Sequence, residues 1–131
     1  MLSWASLTPE RVDANTGILF GYPSGAIAAL TCGFVGATRN AATITGTTGR
    51  IELPEGFHVP RSFTLHRGSS AEVFEHPFEG GGYQFEAIEV QRCLAAGELE
   101  SPLVTHGTTQ EVMALLDEIR AEIGVVYPGV S

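Results

Sequence analysis

The hydrophobic pattern of the chain changes its period once, and this change limits the possible folds more than any other feature. Up to His76, apolar residues alternate with other residues over short runs separated by glycine- and proline-containing turns, which is typical of β-strands. From Tyr83 onward they recur every three or four residues, the period of an amphipathic α-helix. Strands followed by helices predict an α+β fold, in which two C-terminal amphipathic helices pack on one face of an open, mainly antiparallel sheet.

The strands are predicted to pair as hairpins. Residues 12–22 and 26–35 form the first hairpin around the turn Pro23-Ser24-Gly25, and further strands are predicted at 41–45, 50–53, 62–66 and 71–76. The run AIAALTCGFV at 26–35 is apolar at both alternating positions, which is typical of a strand covered on both faces. Because the helices cover one face, the other is predicted to be an interface with a second copy or another domain. The alternative is that this face, rich in alanine, threonine and glycine, is only weakly hydrophobic.

Both helices carry end signals. The first is predicted to end at Gly97, and the last to begin near Thr108 and Glu111, which have capping-box spacing, and to end at Gly124. The apolar stripe of the first helix comprises Tyr83, Ala87, Val90 and Leu94 and is widened by Phe85, Ile88 and Cys93.

Composition narrows the class of protein. The 131 residues, of which 44% are hydrophobic, are predicted to form a single domain over residues 1–131. No apolar run is long enough to span a membrane, and no signal-peptide pattern is present, so a cytoplasmic protein without a membrane partner is expected. The net charge is −8 and the seven basic residues, all arginine, are scattered, which argues against a nucleic-acid partner. Cys32 and Cys93 lack metal-ligand spacing and are predicted to be buried thiols.

The stretch GGGYQF at residues 80–85 is a candidate phosphate-binding loop, because glycines before a helix can bring backbone N–H groups to a phosphate. The dinucleotide pattern G-x-G-x-x-G is incomplete, and a P-loop needs a lysine, which this chain lacks. The prediction is that no cofactor is bound by this segment and that the glycines form a tight entry into the helix.

The four histidines, His58, His66, His76 and His106, form no metal-binding motif, so no metal site is predicted. Nothing in the chain forms a catalytic constellation, and no catalytic residue is predicted. His58 lies in the loop Phe57-His58-Val59-Pro60, where an aromatic ring and an imidazole can line a polar pocket. The alternative is an ordinary surface histidine.

Several segments in order resemble a known family. They are the turn YPSGA, the hairpin GTTGRIELP and the helix exit CLAAGELESP followed by a final helix. In order and spacing, over nearly the whole chain, they resemble the C-terminal part of the glucose-fructose oxidoreductase / inositol dehydrogenase / MocA (Gfo/Idh/MocA) family, closest to its dihydrodiol-dehydrogenase-like members. The family's N-terminal part is not matched, since its glycine fingerprint, its Glu-Lys-Pro motif and its Asp-x-x-x-His pair do not occur here.

The resemblance implies a parent protein with a Rossmann domain that binds NAD or NADP and oxidises a hydroxyl of a sugar, cyclitol or diol. It implies that this segment serves assembly, as a homo-oligomer through the sheet face, and forms part of the substrate wall. By family position, Phe57, His58 and Tyr83 are the candidate substrate-binding residues, although Tyr83 also fits a packing role at the start of the stripe. The segment alone is predicted to be inactive.

Two other hypotheses remain open. One is a stand-alone ligand-binding or scaffold module that keeps the fold and has lost the enzyme. The other is a small enzyme whose histidines and carboxylates meet in space, which would require His58, His66 or His76 within hydrogen-bond reach of a glutamate.

Overall fold

The computed structural model describes residues 1–127 and contains seven strands and two helices. The strands are β1 (Leu2–Leu7), β2 (Asp13–Gly21), β3 (Ile27–Gly33), β4 (Ala42–Thr45), β5 (Arg50–Leu53), β6 (Ser62–Arg67) and β7 (Ser70–Glu75), and the helices are α1 (Tyr83–Ala96) and α2 (His106–Ile123). Every strand pair is antiparallel, so the predicted α+β class is confirmed. The predicted single sheet is instead two, with the orders β1-β2-β3 and β4-β5-β6-β7.

The chain divides into two compact units. The first comprises Met1–Thr38 and the chain from Pro102 onward, and the second comprises Arg39–Ser101. Each unit therefore has one sheet and one helix. The description of residues 1–131 as a single domain stays a prediction.

In the first unit, α2 packs on the sheet through β1. Successive residues of β1 and β2 point to opposite faces of the sheet. Ala14 and Thr16 point to the face that carries α2 and are buried, whereas Asn15, between them, points to the other face and is exposed. Ile119 of α2 is also buried, and the Ser3 hydroxyl donates to the Glu122 carboxylate over 2.6 Å. Strand β1 was not among the predicted strands, although LSWASL alternates in the same way.

The N-terminus of α2 lies three residues earlier than the capping-box prediction. Thr105 is the N-cap, and its hydroxyl accepts from the Thr108 backbone N–H over 3.1 Å. Thr108 is thus inside the helix. Both predicted helix stops are confirmed, since Gly97 and Gly124 close their helices with φ of 69° and 75°.

The other face of the β1-β2-β3 sheet is apolar and open. Leu2 pairs with Leu19, and Trp4 pairs with Gly17. The side chains of Leu2, Trp4 and Leu19 therefore lie on the face away from α2. Leu2, Trp4 and Ile27 are 67%, 82% and 73% exposed. We call this set, with Leu19, the outer sheet face.

The second unit has a sheet with one polar and one apolar face. Paired residues Thr43, Glu52 and Thr64 form a polar row across β4, β5 and β6. On the opposite face Phe63 and Phe74 stack, with ring centroids 4.8 Å apart. Helix α1 has no close backbone contact with a described strand of this sheet.

The apolar stripe of α1 is less buried than the sequence pattern predicts. Tyr83, Val90 and Leu94 are exposed, and Cys93 is the buried side chain of the helix. Burial raises the pKa of the Cys93 thiol, so it stays protonated. Cys32, the other thiol predicted to be buried, is exposed.

One charged cluster joins α1 to the segment that follows it. Arg92 donates to the Glu89 carboxylate from its Nε over 2.8 Å and to Glu98 from its Nη2 over 2.9 Å. The Ser101 hydroxyl also donates to Glu89 over 2.6 Å. These bonds, with Arg92 first, lower the pKa of Glu89 to about 2. We call Glu89, Arg92, Glu98 and Ser101 the Glu89 cluster.

Candidate functional site

A cavity of about 440 Å³ lies in the second unit, where the loop before β6 meets the glycine segment and the first turn of α1. Its lining is mostly apolar, and its polar side chains are those of His58, Tyr83 and Glu86. The other lining residues are Val59, Pro60, Phe78, Gly81, Gly82 and Phe85.

Gly82 allows α1 to begin close to the apolar wall of the cavity. It is the N-cap of α1 with φ of 91°, a conformation that residues with a Cβ rarely adopt. A Cβ built on Gly82 would lie 3.3 Å from Val59 Cγ1 and 3.7 Å from Phe78. Only glycine therefore allows the helix to start this close to the two apolar walls.

Two side chains hold the glycine segment in place. Arg61 donates to the carbonyl oxygens of Phe78 and Gly80 over 2.5 and 2.7 Å. Gln84 folds back, accepting from the Gly82 N–H over 3.0 Å and donating to the Glu79 carbonyl over 2.5 Å. The segment is thus fixed by hydrogen bonds even though it is rich in glycine.

The opposite side of the cavity is held by Asn40. Its carbonyl accepts from the Gly56 N–H over 2.8 Å, and its own N–H donates to the Glu55 carboxylate over 3.1 Å. Its carboxamide Nδ2 lies 3.4 Å from His58 Nδ1. Asn40 therefore contacts both the backbone of this loop and the ring at the cavity.

Three aromatic rings, those of Phe78, Tyr83 and Phe85, line the cavity. Phe78 and Phe85 meet edge to face, with centroids 5.4 Å apart and an angle of 76° between the rings. Phe85 and Tyr83 are 53% and 78% exposed, so their faces are free to contact a ligand. The arrangement suits a flat, cyclic molecule with few polar groups.

The structure brings two of the three predicted site residues into this cavity. His58 and Tyr83 line it, while Phe57 lies beside it with its ring edge-on to His58 at 6.2 Å. The exposure of Tyr83 argues against the packing role that its place in the stripe had left open. Whether the three bind a substrate stays a prediction.

Sequence reasoning missed Phe78 and misassigned Phe85. Phe85 was predicted to widen the packing stripe of the first helix, but it lines the cavity. Phe78 stands two residues before the glycine run, and an aromatic residue next to a glycine-rich loop is the signal that was available. Arg61 shows no such signal, because it reaches the segment from 17 residues away in sequence.

Two features of the glycine segment bear on phosphate binding. The Gly82 N–H, which would face a phosphate at the helix start, already donates to Gln84. Glu86 stands in the first helical turn, where its charge opposes an anion. That no cofactor is bound by this segment stays a prediction.

A second cavity, of about 410 Å³, lies on the polar face of the β4–β7 sheet and is lined by Glu52, Arg39 and the hydroxyls of Thr43, Ser62 and Thr64. Glu52 accepts from Arg50 over 2.7 Å and lies 3.1 Å from His66 Nε2. Arg50, ahead of His66, lowers the pKa of Glu52.

His66 and Glu52 thus meet the distance required for the small-enzyme hypothesis. His66 does not line the cavity, and Arg50 holds the Glu52 carboxylate in its charged form, which makes it a poor proton donor. Within residues 1–127, no group of three histidine, cysteine or acidic side chains is arranged to hold a metal ion. Neither helix of that part of the chain is long and apolar enough to cross a membrane.

Comparison with known proteins gives one consistent group of relatives. The chain is 28% identical over 125 residues to the trans-1,2-dihydrobenzene-1,2-diol dehydrogenase of Sus scrofa, covering 89% of this chain and 37% of that enzyme. The enzymes of Oryctolagus cuniculus and Danio rerio are each 29% identical, over 89% and 88% of this chain and 38% and 36% of theirs. No family model matches the chain.

The relatives are much longer than this chain, which spans 37% of the length of the Sus scrofa enzyme. A match that covers nearly all of this chain but little of its relatives is consistent with one C-terminal domain of a longer protein. The match is to the enzyme type that the sequence segments had indicated. The chain thus resembles part of the dihydrodiol dehydrogenases, and its resemblance to the Gfo/Idh/MocA oxidoreductase family is confirmed.

Proposed function

We propose that this chain is the substrate-wall and assembly part of an NAD(P)-dependent oxidoreductase that acts on a hydroxyl of a cyclic diol. The observation that carries the proposal is the cavity of about 440 Å³, in which aromatic rings stand beside the polar groups of His58, Tyr83 and Glu86. A cyclic diol offers an apolar ring for the aromatic faces and hydroxyls for the polar groups. The named substrate of the relatives, a dihydrobenzenediol, has this chemistry.

The proposal assigns hydride transfer, which is chemistry of the nicotinamide, to a part of the protein outside this chain. In support of this assignment, the Gly82 N–H at the start of α1 is already bonded to Gln84. In this proposal the cofactor, as NAD or NADP, and the proton-transfer residues belong to a Rossmann domain that adjoins the cavity. Val90 and Leu94, exposed on α1, provide apolar surface for such a contact.

The assembly role is supported by the outer sheet face. Leu2, Trp4 and Ile27 are each at least two-thirds exposed, whereas on the opposite face α2 packs against β1, and Ala14 and Thr16 are buried. Gly17, opposite Trp4, has no side chain, and a Cβ there would meet nothing within 4 Å, so the face is open at this point. A second copy with the same face is the proposed occupant, since such symmetric contacts are the commonest in soluble oligomers.

Ligand binding tests the substrate wall directly. We expect trans-1,2-dihydrobenzene-1,2-diol to shift the backbone amide signals of residues 56–59 and 78–86 in NMR spectra of the 131-residue chain. Tyr83→Ala should weaken binding about three- to tenfold, the value of one aromatic contact. Tyr22→Ala removes an exposed tyrosine far from the cavity in sequence and should leave binding unchanged. Shifts confined to other residues would contradict the proposal.

Cofactor binding gives an independent check. Calorimetry of the chain with NADH or NADPH should show no binding at micromolar concentration. Micromolar affinity in this chain alone would contradict the division of labour, because it would place the cofactor site among residues 1–131.

The second candidate is a stand-alone ligand-binding or scaffold module. It predicts the same binding of the diol, so ligand binding does not distinguish it from the oxidoreductase. The gene does: a segment that encodes a Rossmann domain, in frame or adjacent, favours the oxidoreductase, and its absence favours the module.

A further inference from the structure

We propose that Asn40 is a positioning residue, which fixes His58 as the tautomer with a proton on Nε2, so that the ring offers a ligand a hydrogen-bond donor and not a base. The proposal deepens the function given above and depends on it for the identity of the ligand. The tautomer itself is a property of the unliganded chain.

The side chains of Asn40 and His58 are in contact. Asn40 Nδ2 lies 3.4 Å from His58 Nδ1. In the proposed contact the carboxamide nitrogen, which has two hydrogens and no lone pair to accept with, donates, and the imidazole nitrogen accepts. A neutral imidazole that accepts at Nδ1 carries its proton on Nε2.

The contact with Asn40 also determines which ring nitrogen of His58 a ligand can reach. His58 lines the cavity, and with Nδ1 occupied by Asn40, Nε2 is the ring nitrogen left for a ligand. An Nε2–H group donates to a hydroxyl or carbonyl oxygen and cannot accept a proton from it. His58 then binds and orients a hydroxyl, while proton removal is left to a group elsewhere.

The main chain of Asn40 makes its own hydrogen bonds, apart from the contact of its side chain with His58. Its carbonyl accepts from the Gly56 and Phe57 N–H groups over 2.8 and 3.4 Å, and its N–H donates to Glu55. The bonds from Gly56 and Phe57 use main-chain atoms on both sides and do not depend on the side chain of residue 40. A substitution at residue 40 therefore alters the partner of His58 while the loop keeps its main-chain bonds.

The decisive variant is Asn40→Asp. A carboxylate accepts and does not donate, so it favours a proton on Nδ1 and inverts the tautomer. The two-bond ¹H–¹⁵N correlation of the imidazole ring, recorded in the 131-residue chain where the ring is neutral, reports which nitrogen is protonated. We expect a protonated Nε2 in the natural chain and a protonated Nδ1 in Asn40→Asp.

The chain offers a matched control, because its second asparagine is Asn15, in the other compact unit. Asn15→Asp adds the same charge and should leave the His58 spectrum unchanged. The signal of His66, held by Glu52 at 3.1 Å, shows in each variant that the β5–β6 pair is intact. A natural chain with the proton on Nδ1, or an Asn40→Asp spectrum identical to that of the natural chain, would overturn the proposal.

The spectrum of the natural chain covers the case in which the variant does not fold, because a proton on Nδ1 of His58 in that chain would by itself overturn the proposal.

Ligand binding separates this proposal from the function on which it rests. If trans-1,2-dihydrobenzene-1,2-diol binds, Asn40→Asp should weaken it about tenfold through loss of the donor, and Asn15→Asp should not. If the diol does not bind at all, the proposed function fails while the tautomer result still stands or falls by the spectra.

Discussion

The guanidinium of Arg61 lies over the ring of Phe78, with its central carbon 4.4 Å from the ring centroid. The same group donates to the carbonyls of Phe78 and Gly80. One side chain therefore fixes both an aromatic wall of the cavity and the backbone of the glycine segment. Loss of Arg61 should affect the two together.

We expect Arg61→Ala to lower the free energy of unfolding by about 1–2 kcal/mol, from two charge-assisted hydrogen bonds and a partly exposed cation–π contact. Urea denaturation measures the loss, and amide hydrogen exchange at residues 78–82 should become faster. Arg67→Ala removes an exposed arginine for which the structure records no ion pair within residues 1–127, and its effect should stay below about 0.5 kcal/mol. Equal effects of the two variants would refute the role of Arg61.

Gly82→Ala tests the closure of the cavity wall. The variant forces a Cβ into a φ of 91° and to 3.3 Å from Val59, so a loss of about 1–3 kcal/mol in unfolding free energy is expected. Gly36→Ala is the matched control, because a Cβ there meets nothing within 4 Å and the φ of Gly36 lies outside the positive region. Denaturation curves that show the same midpoint for both variants would mean that Gly82 is not required.

The Glu89 cluster should make stability depend on acid pH. Glu89 has a pKa near 2 when folded and an ordinary value of 4.5, so the unfolded chain binds its proton first as the pH falls. The stabilisation is therefore complete above about pH 4.5 and is lost toward pH 2.

Glu89→Gln removes this contribution. The variant should be less stable than the natural chain at pH 7, and the difference between the two should shrink as the pH falls toward 2. Urea midpoints at pH 7, 4 and 3 measure it. Glu118→Gln, on the exposed side of α2, should show a small difference at every pH. A Glu89→Gln difference that does not change with pH would contradict the ionic role.

The outer sheet face predicts self-association. Sedimentation of the chain should give about twice its mass of 13.9 kDa, and Trp4→Glu should give the single mass, because a charge on this apolar face opposes its burial. Leu99→Glu changes a residue that is 96% exposed but lies outside the sheet, and it should not alter the mass. A natural chain that is monomeric at millimolar concentration would rule out this interface.

The sequence predicted the parts of the fold that depend on neighbours in the chain. Strand β5 was predicted at its observed residues and the other predicted strands to within two residues, because alternation and turn glycines are local signals. The division into two sheets and the exposure of Tyr83, Val90 and Leu94 depend on long-range packing, for which a helical stripe gives no partner.

The candidate site shows the same limit. His58 and Tyr83 were found through loop position and family resemblance, and both line the cavity. Asn40 and Arg61 reach it across 18 and 17 residues, to His58 and to Phe78 respectively, through bonds that follow no periodic pattern. Such contacts become visible only once the chain is folded.

The first compact unit is built from both ends of the chain, and Ser3 bonds Glu122 across 119 positions. Within this chain β1, β2 and β3 precede the second unit and α2 follows it, so the sheet of the first unit is made before the helix that packs on it. The helix-facing side of that sheet stays uncovered until α2 has been made. A variant that ends before His106 would lack this cover, and we expect it to be more prone to aggregation than the 131-residue chain.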